Sequence, residues 1–215
     1  MKSRLLSVLA MSLLLGLFAG VSLADPAGQW TLDFSNRGLQ HVIVTTPQGP
    51  VVYYYIPYEV TNKTGADLAI RPQGKIVTET GQTLITTPDP LAALEICKKL
   101  GREMLDIDAM AKEALPDGKS RQGLLIWYGL DDRADHLDVY LYGLSNEYKY
   151  TDEKARTGFL RKVYQLKVTR PGGVDDRHKA PVTVEKEGWS WVPTDVPTPA
   201  AAPAPADAPA PAPEK

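Results

Sequence analysis

The sequence predicts a mainly β, antiparallel sandwich interrupted by one helical insert near residues 89–115. Three observations carry this prediction. Apolar residues alternate with a period of two in several separate runs. Clusters of Gly, Pro and Asn punctuate those runs at short intervals. Only the 89–115 stretch switches to a period of about 3.6 residues.

The elements follow in chain order. Gln40–Thr46 alternates around Val42, Ile43 and Val44. Val51–Asn62 is a long strand with Val52, Tyr54, Ile56, Tyr58 and Val60 on one face. Pro57 falls on the other face and has no N–H to give to a ladder, which predicts an edge or a bulge there. Asn62-Lys63-Thr64-Gly65 is a turn, and Leu68–Ile70 resumes extended structure. Lys75–Thr80 and Thr83–Thr87 read as a hairpin or a wide β-turn about Gly81-Gln82. In the insert, Asp89 caps and Pro90 suits the first helical position. Leu91, Leu94 and Lys98 share a face with Cys97, and Met104, Ile107, Met110, Ala111 and Ala114 continue the period. Gly101 divides the insert into two helices, and Pro116-Asp117-Gly118 ends it. Further strands are predicted at Gly123–Leu130, His136–Gly143, Gly158–Arg170 and Pro181–Lys186, with Trp189 and Trp191 clamping the end of the domain.

Both ends of the chain differ from this middle. Lys2 and Arg4 precede an apolar stretch, Leu5–Leu17, broken only by Ser7, Ser12 and Gly16. Ser22-Leu23-Ala24 supplies the small residues that a signal peptidase requires, so residues 1–24 read as a signal peptide cut between Ala24 and Asp25. The stretch is short for a spanning helix, which needs about 20 residues. At the other end, Pro193–Lys215 holds eight prolines and eight alanines. Such a segment buries too little apolar surface to offset its ordering entropy, and its prolines bias it to extended polyproline II, reaching roughly 70 Å. The expected organisation is a signal peptide (1–24), a β-sandwich domain (25–192) and a disordered Pro/Ala tail (193–215).

The formal net charge is −2, and cleavage removes two bases, so nucleic acid is not an expected partner. Cys97 is the one cysteine. An internal disulfide is therefore impossible, and stability must come from burial.

The order Tyr58-Glu59-Val60-Thr61-Asn62-Lys63-Thr64-Gly65, a Thr80-Gly81 turn, Leu115-Pro116-Asp117-Gly118 and Gly123-Leu124-Leu125-Ile126-Trp127 resembles bacterial extracytoplasmic immunoglobulin-like domains. The likeness covers about residues 58–143. It implies an immunoglobulin-like sandwich and an exported, periplasmic or extracellular location. It brings no catalytic residues with it.

Three constellations bear on chemistry. Asp131, Asp132 and Asp135, followed by His136 and Asp138, form an acidic loop that reads either as a hard-cation site or as a solvated turn with Arg133 inside it. Asp175, Asp176, Arg177 and His178 repeat the pattern more weakly. Tyr53 and Tyr55, and Tyr140 and Tyr142, alternate with core positions and so face outward. There they offer flat rings with polar tips to a glycan or protein surface, unless the insert packs over them. The histidines His41, His136 and His178 fall in no nucleophile or zinc motif. The expected function is that of an exported, non-enzymatic envelope module, binding or structural. Its partner would be an envelope protein or a surface polymer, with no cofactor and no membrane contact after cleavage. The alternative is a small metal-dependent or hydrolytic envelope enzyme built on the acidic loops.

Overall fold

The computed structural model describes residues 28–155, 157–173 and 180–193. The predicted leader with its Ala24/Asp25 cleavage point, the segment from 194 onward, and Asp175, Asp176, Arg177 and His178 lie outside them.

In chain order the elements are β1 (Asp33–Asn36), β2 (Gln40–Thr46), β3 (Gly49–Thr61), β4 (Gln73–Thr78), β5 (Thr83–Ile85), α1 (Pro90–Leu100), α2 (Ile107–Ala111), β6 (Ser120–Tyr128), β7 (His136–Tyr142), β8 (Tyr148–Asp152), β9 (Thr157–Thr169) and β10 (Thr183–Pro193). They build two sheets whose strands all pair antiparallel. In the four-stranded sheet, β3 is the centre, with β6 along one edge and β1 and β2 sharing the other. The six-stranded sheet runs β10-β9-β7-β4-β5, and β8 pairs β9.

The period-2 reading sets which residues meet between the sheets. Tyr54, Ile56, Tyr58 and Val60 of β3 share one core with Leu125 and Trp127 of β6, Ile76 of β4, Leu137, Val139 and Leu141 of β7, and Leu166 and Val168 of β9. Each fully buried aliphatic side chain of this kind contributes about 1.5–3 kcal/mol. The observed class is therefore mainly β with antiparallel sheets.

Pro57 behaves as its chemistry demands. β2 pairs Gly49–Tyr55 and β1 pairs Tyr58–Thr61, so the prolyl position falls where β3 changes partner on that edge. Its carbonyl accepts from the Arg37 N–H at 3.2 Å. N–H and C=O of one strand residue point the same way, so the missing donor faces this junction and leaves no ladder bond unmade.

The insert is smaller than the sequence pattern implied. Asp89 caps α1 by accepting the Ala92 N–H at 2.9 Å. Gly101 ends it in the left-handed region, φ 65°, a conformation glycine adopts without strain. Asp106 caps the one-turn α2. The predicted apolar face of α1 needs correction. Its buried residues are Ala92 and Ile96, whereas Leu91 and Leu94 are 72% and 53% exposed. The helix lies on the far side of β3 and β6, where Ala92 and Ile96 meet Val44, Tyr53, Tyr55, Leu124 and Ile126 in a second core. Small Ala92 permits that close seat; a leucine stripe would have held the helix further out.

Three extended segments depart from expectation. β1 and β8 were not predicted, and β10 runs to Pro193 rather than stopping near Lys186. A register shift between Val184 and Lys186, with Gly188 at φ 151°, interrupts the alternation that would have revealed β10 whole. Leu68–Ile70 is not a strand; Leu68 makes one isolated bridge to Leu115. Buried Asn62 ties these segments together. Its amide donates to the Ala66 and Leu115 carbonyls at 2.8 Å each, and its Oδ1 accepts from the Thr64 N–H and hydroxyl.

Candidate functional site

The tip of β8 and β9 is shaped by two residues. Asp152 Oδ1 accepts the Lys154 and Ala155 N–H groups, both at 2.9 Å, which closes the turn. Gly158 sits at φ 65°, and a Cβ there would overlap the Thr151 hydroxyl, which donates to the Gly158 carbonyl at 2.9 Å. The resulting register sets Tyr148 opposite Arg161 and Tyr150 opposite Phe159. Tyr148 and Phe159 stack with centroids 5.0 Å apart and planes 22° apart, and Tyr150 meets Phe159 edge-on at 5.9 Å. Tyr148 is 44% exposed and Phe159 37%. This stack stands at the surface, where large apolar rings need a reason.

The chain around residues 28–32 builds the opposite wall. Trp30 N–H donates to Asn146 Oδ1 at 2.6 Å, Asn146 N–H returns to the Trp30 carbonyl at 3.1 Å, and Gln29 reaches the Tyr148 carbonyl at 3.1 Å. Gly143, at φ 74°, lets the backbone pass so close to Arg71 that a Cβ would overlap the Arg71 carbonyl. The product is a cleft of about 350 Å³ lined by Trp30, Arg71, Tyr142, Tyr148, Phe159 and Arg161, among others.

Its electrostatics are uneven. Glu147 also lines the cleft, but it bonds Lys162 at 2.7 Å and accepts from the Thr31 hydroxyl. The Lys162 bond first, and the Thr31 bond next, hold its carboxyl below the ordinary range. Lys162 also lies 5.2 Å over the Trp189 ring, and Lys149 lies 4.6 Å over Trp191. The tryptophans expected to clamp the domain end thus stack under lysines from β8 and β9.

The predicted tyrosines separate into two pairs. Tyr53 and Tyr55 do point away from the inter-sheet core, but α1 covers them. They are 8% and 1% exposed, so of the two readings open for this face, cover by the insert is the one observed and an open ligand surface is not. Burial pushes both phenols up, and for Tyr53 the capping carboxylate Asp89 adds to the effect. Tyr140 and Tyr142 lie on the outer face of the larger sheet, each half-buried, and Tyr142 lines the cleft. Tyr140 is raised chiefly by burial and then by Asp138. Tyr148, Tyr150, Phe159 and Arg161 were missed as site residues. The Tyr-Lys-Tyr alternation at 148–150 was the available signal.

The acidic loop is organised by arginines. Asp131 Oδ1 accepts from the Arg133 N–H at 3.0 Å and Nε at 3.1 Å, and Oδ2 accepts from Nη2 at 3.0 Å and from the Thr80 hydroxyl at 2.9 Å. These bonds hold the Asp131 carboxyl far below the usual range. Asp132 is 3.8 Å from the guanidinium of buried Arg170, which donates Nη1 to the Asp131 carbonyl at 2.8 Å. The Asp135 carbonyl accepts the Arg170 N–H at 2.8 Å. Among the described residues, no group of three or more His, Cys, Asp or Glu side chains, Asp131, Asp132 and Asp135 included, is placed to hold a metal ion. No described helix is long and apolar enough to cross a membrane. Comparison with protein-family models, curated proteins and solved structures finds no match to this chain.

Proposed function

We propose that the chain is an exported, non-enzymatic binding module of the cell envelope, built on an immunoglobulin-like sandwich, whose aromatic cleft takes a surface polymer. One observation carries the reading: the Tyr148–Phe159 stack stands exposed beside a cleft that Trp30 and Tyr142 also line. Rigid aromatic faces supply contact area at low entropic cost, and a polar rim orients the ligand. Export is supported by the charged, apolar and small-residue order of positions 1–24, and the Pro/Ala segment then serves as a spacer from the domain.

Two measurements test this. Mass spectrometry of the native protein is expected to find Asp25 at the N-terminus; retention of Met1 would remove the export claim. The purified chain is expected to co-sediment with isolated envelope polysaccharide, and a Phe159→Ser variant is expected to lose that property while keeping its circular dichroism. Equal sedimentation of the variant would dismiss the cleft as the binding face.

A further inference from the structure

Within that reading of the cleft, we infer the class of ligand: a carboxylate-bearing saccharide, its rings laid on Tyr148 and Phe159 and its acid group held by Arg161 and Arg71.

The argument is one of charge left over. Four groups in the cleft wall ionise strongly: Arg71, Arg161, Lys162 and Glu147. Glu147 and Lys162 are half-buried and satisfy each other at 2.7 Å, so together they present no net charge. Arg71 approaches Asp108 only at 3.6 Å, and those side chains are 66% and 52% exposed, a pair that solvent screens heavily. Among the described residues, Arg161 forms no ion pair with a carboxylate, and it is itself exposed. The cleft therefore presents two guanidinium groups on a chain whose formal net charge is −2. A local excess opposite in sign to the whole molecule selects an anion.

Geometry adds the sugar. Arg161 stands directly across from Tyr148 in the β8–β9 ladder, and Phe159 is its near neighbour on the same face. A guanidinium fork beside a flat stack fits a ligand whose planar acid projects from a ring with an apolar face. Such a fork engages carboxylate bidentately. An acidic polypeptide would satisfy the fork but offer no ring to the stack. A neutral glycan would satisfy the stack and leave the fork in water.

The test uses the full chain and three probes at low salt: oligogalacturonate, a neutral cello-oligosaccharide of matched length, and polyglutamate. Binding is read by calorimetry and by aromatic fluorescence. Oligogalacturonate is expected to bind at least about tenfold more tightly than either other probe, and to weaken as salt rises. Arg161→Gln is expected to lower its affinity about tenfold, with Arg161→Lys intermediate. Arg161 is exposed, so neither variant threatens the fold. Equal affinity for the neutral sugar, equal affinity for polyglutamate, or indifference to Arg161→Gln would each overturn the inference. Failure of oligogalacturonate, while sedimentation with envelope polymer still requires Phe159, overturns this inference alone. Failure of both overturns the binding face as well.

Discussion

Trp127 lies directly over Gly74. Its indole Nε1 donates to the Gly74 carbonyl at 3.3 Å, and a Cβ at position 74 would overlap ring atoms Cζ2 and Cη2. Gly74 belongs to β4 of the larger sheet and Trp127 to β6 of the smaller, so this contact sets how closely the sheets approach. Gly74 is needed for the space it leaves empty.

Gly74→Ala is expected to destabilise the domain by about 2–3 kcal/mol. That is the usual cost of inserting a carbon against a rigid ring, and it outweighs the few tenths to one kcal/mol that alanine gains over glycine in a strand. Urea unfolding checks it, and an unchanged midpoint would contradict the overlap.

Arg170 offers a paired test. Its side chain is 1% exposed, its guanidinium lies 5.2 Å over the Tyr54 ring, and Nε and Nη2 make no hydrogen bond. Arg170→Ala opens a cavity and removes the Nη1 bond to the Asp131 carbonyl, while the backbone bond to Asp135 stays, at an expected cost of about 3–4 kcal/mol. Arg170→Met keeps the volume and removes a buried charge, and is expected to cost less than half as much. Comparing the two melting curves decides it.

Asn62→Ala removes four side-chain hydrogen bonds: those to the Leu115 and Ala66 carbonyls, which keep only the Leu68 N–H and the Thr64 hydroxyl, and those from the Thr64 N–H and hydroxyl. A loss of about 2–3 kcal/mol is expected by chemical denaturation. Asn62→Asp is expected to be worse, since a carboxylate offers those carbonyls no donor and buries a charge.

Glu147 predicts a pH dependence. Its folded pKa is lowered by Lys162 and Thr31. The stabilisation is therefore present above the unfolded-chain value of about 4.3 and is lost as pH falls through the folded value. Glu147→Gln is expected to be about 1 kcal/mol less stable at neutral pH, after allowance for screening of this partly exposed pair. Both proteins should converge in acid, and parallel curves down to low pH would refute the assignment.

Tyr148→Ser and Phe159→Ser are expected to change stability by less than about 1 kcal/mol, because both rings stand partly in water. Thermal melts separate this from a core role; a large drop would make the stack structural.

Period-2 alternation found the core strands because burial on one face is what creates the alternation. It found Val52, Tyr54, Ile56, Tyr58 and Val60 on one side of β3 for that reason. It failed where burial is two-sided or absent. Tyr53 and Tyr55 look like outward residues until α1 closes over them, and nothing in β3 itself reports a helix some forty residues later. β8 was invisible because Lys149, Thr151 and Asp152 make it look like a turn, and its pairing is fixed by the Asp152 and Gly158 geometry rather than by apolar content. The helix face of α1 was misread because small Ala92 carries more of the contact than larger Leu91. The cleft joins residues from positions 30 to 162, so no local spacing could have shown it.

β9 is held unequally along its length. Residues Tyr164–Thr169 sit between β7 and β10, whereas the stretch from Thr157 to Arg161 relies on β8 and on the last residues of β10. The tip can therefore open by itself, breaking a few ladder bonds without disturbing the residues between the sheets. Amide hydrogens of Tyr148, Tyr150, Phe159 and Arg161 should exchange with solvent well before those of Val139 or Leu166. A ligand seated on the stack should slow the first group and leave the second untouched.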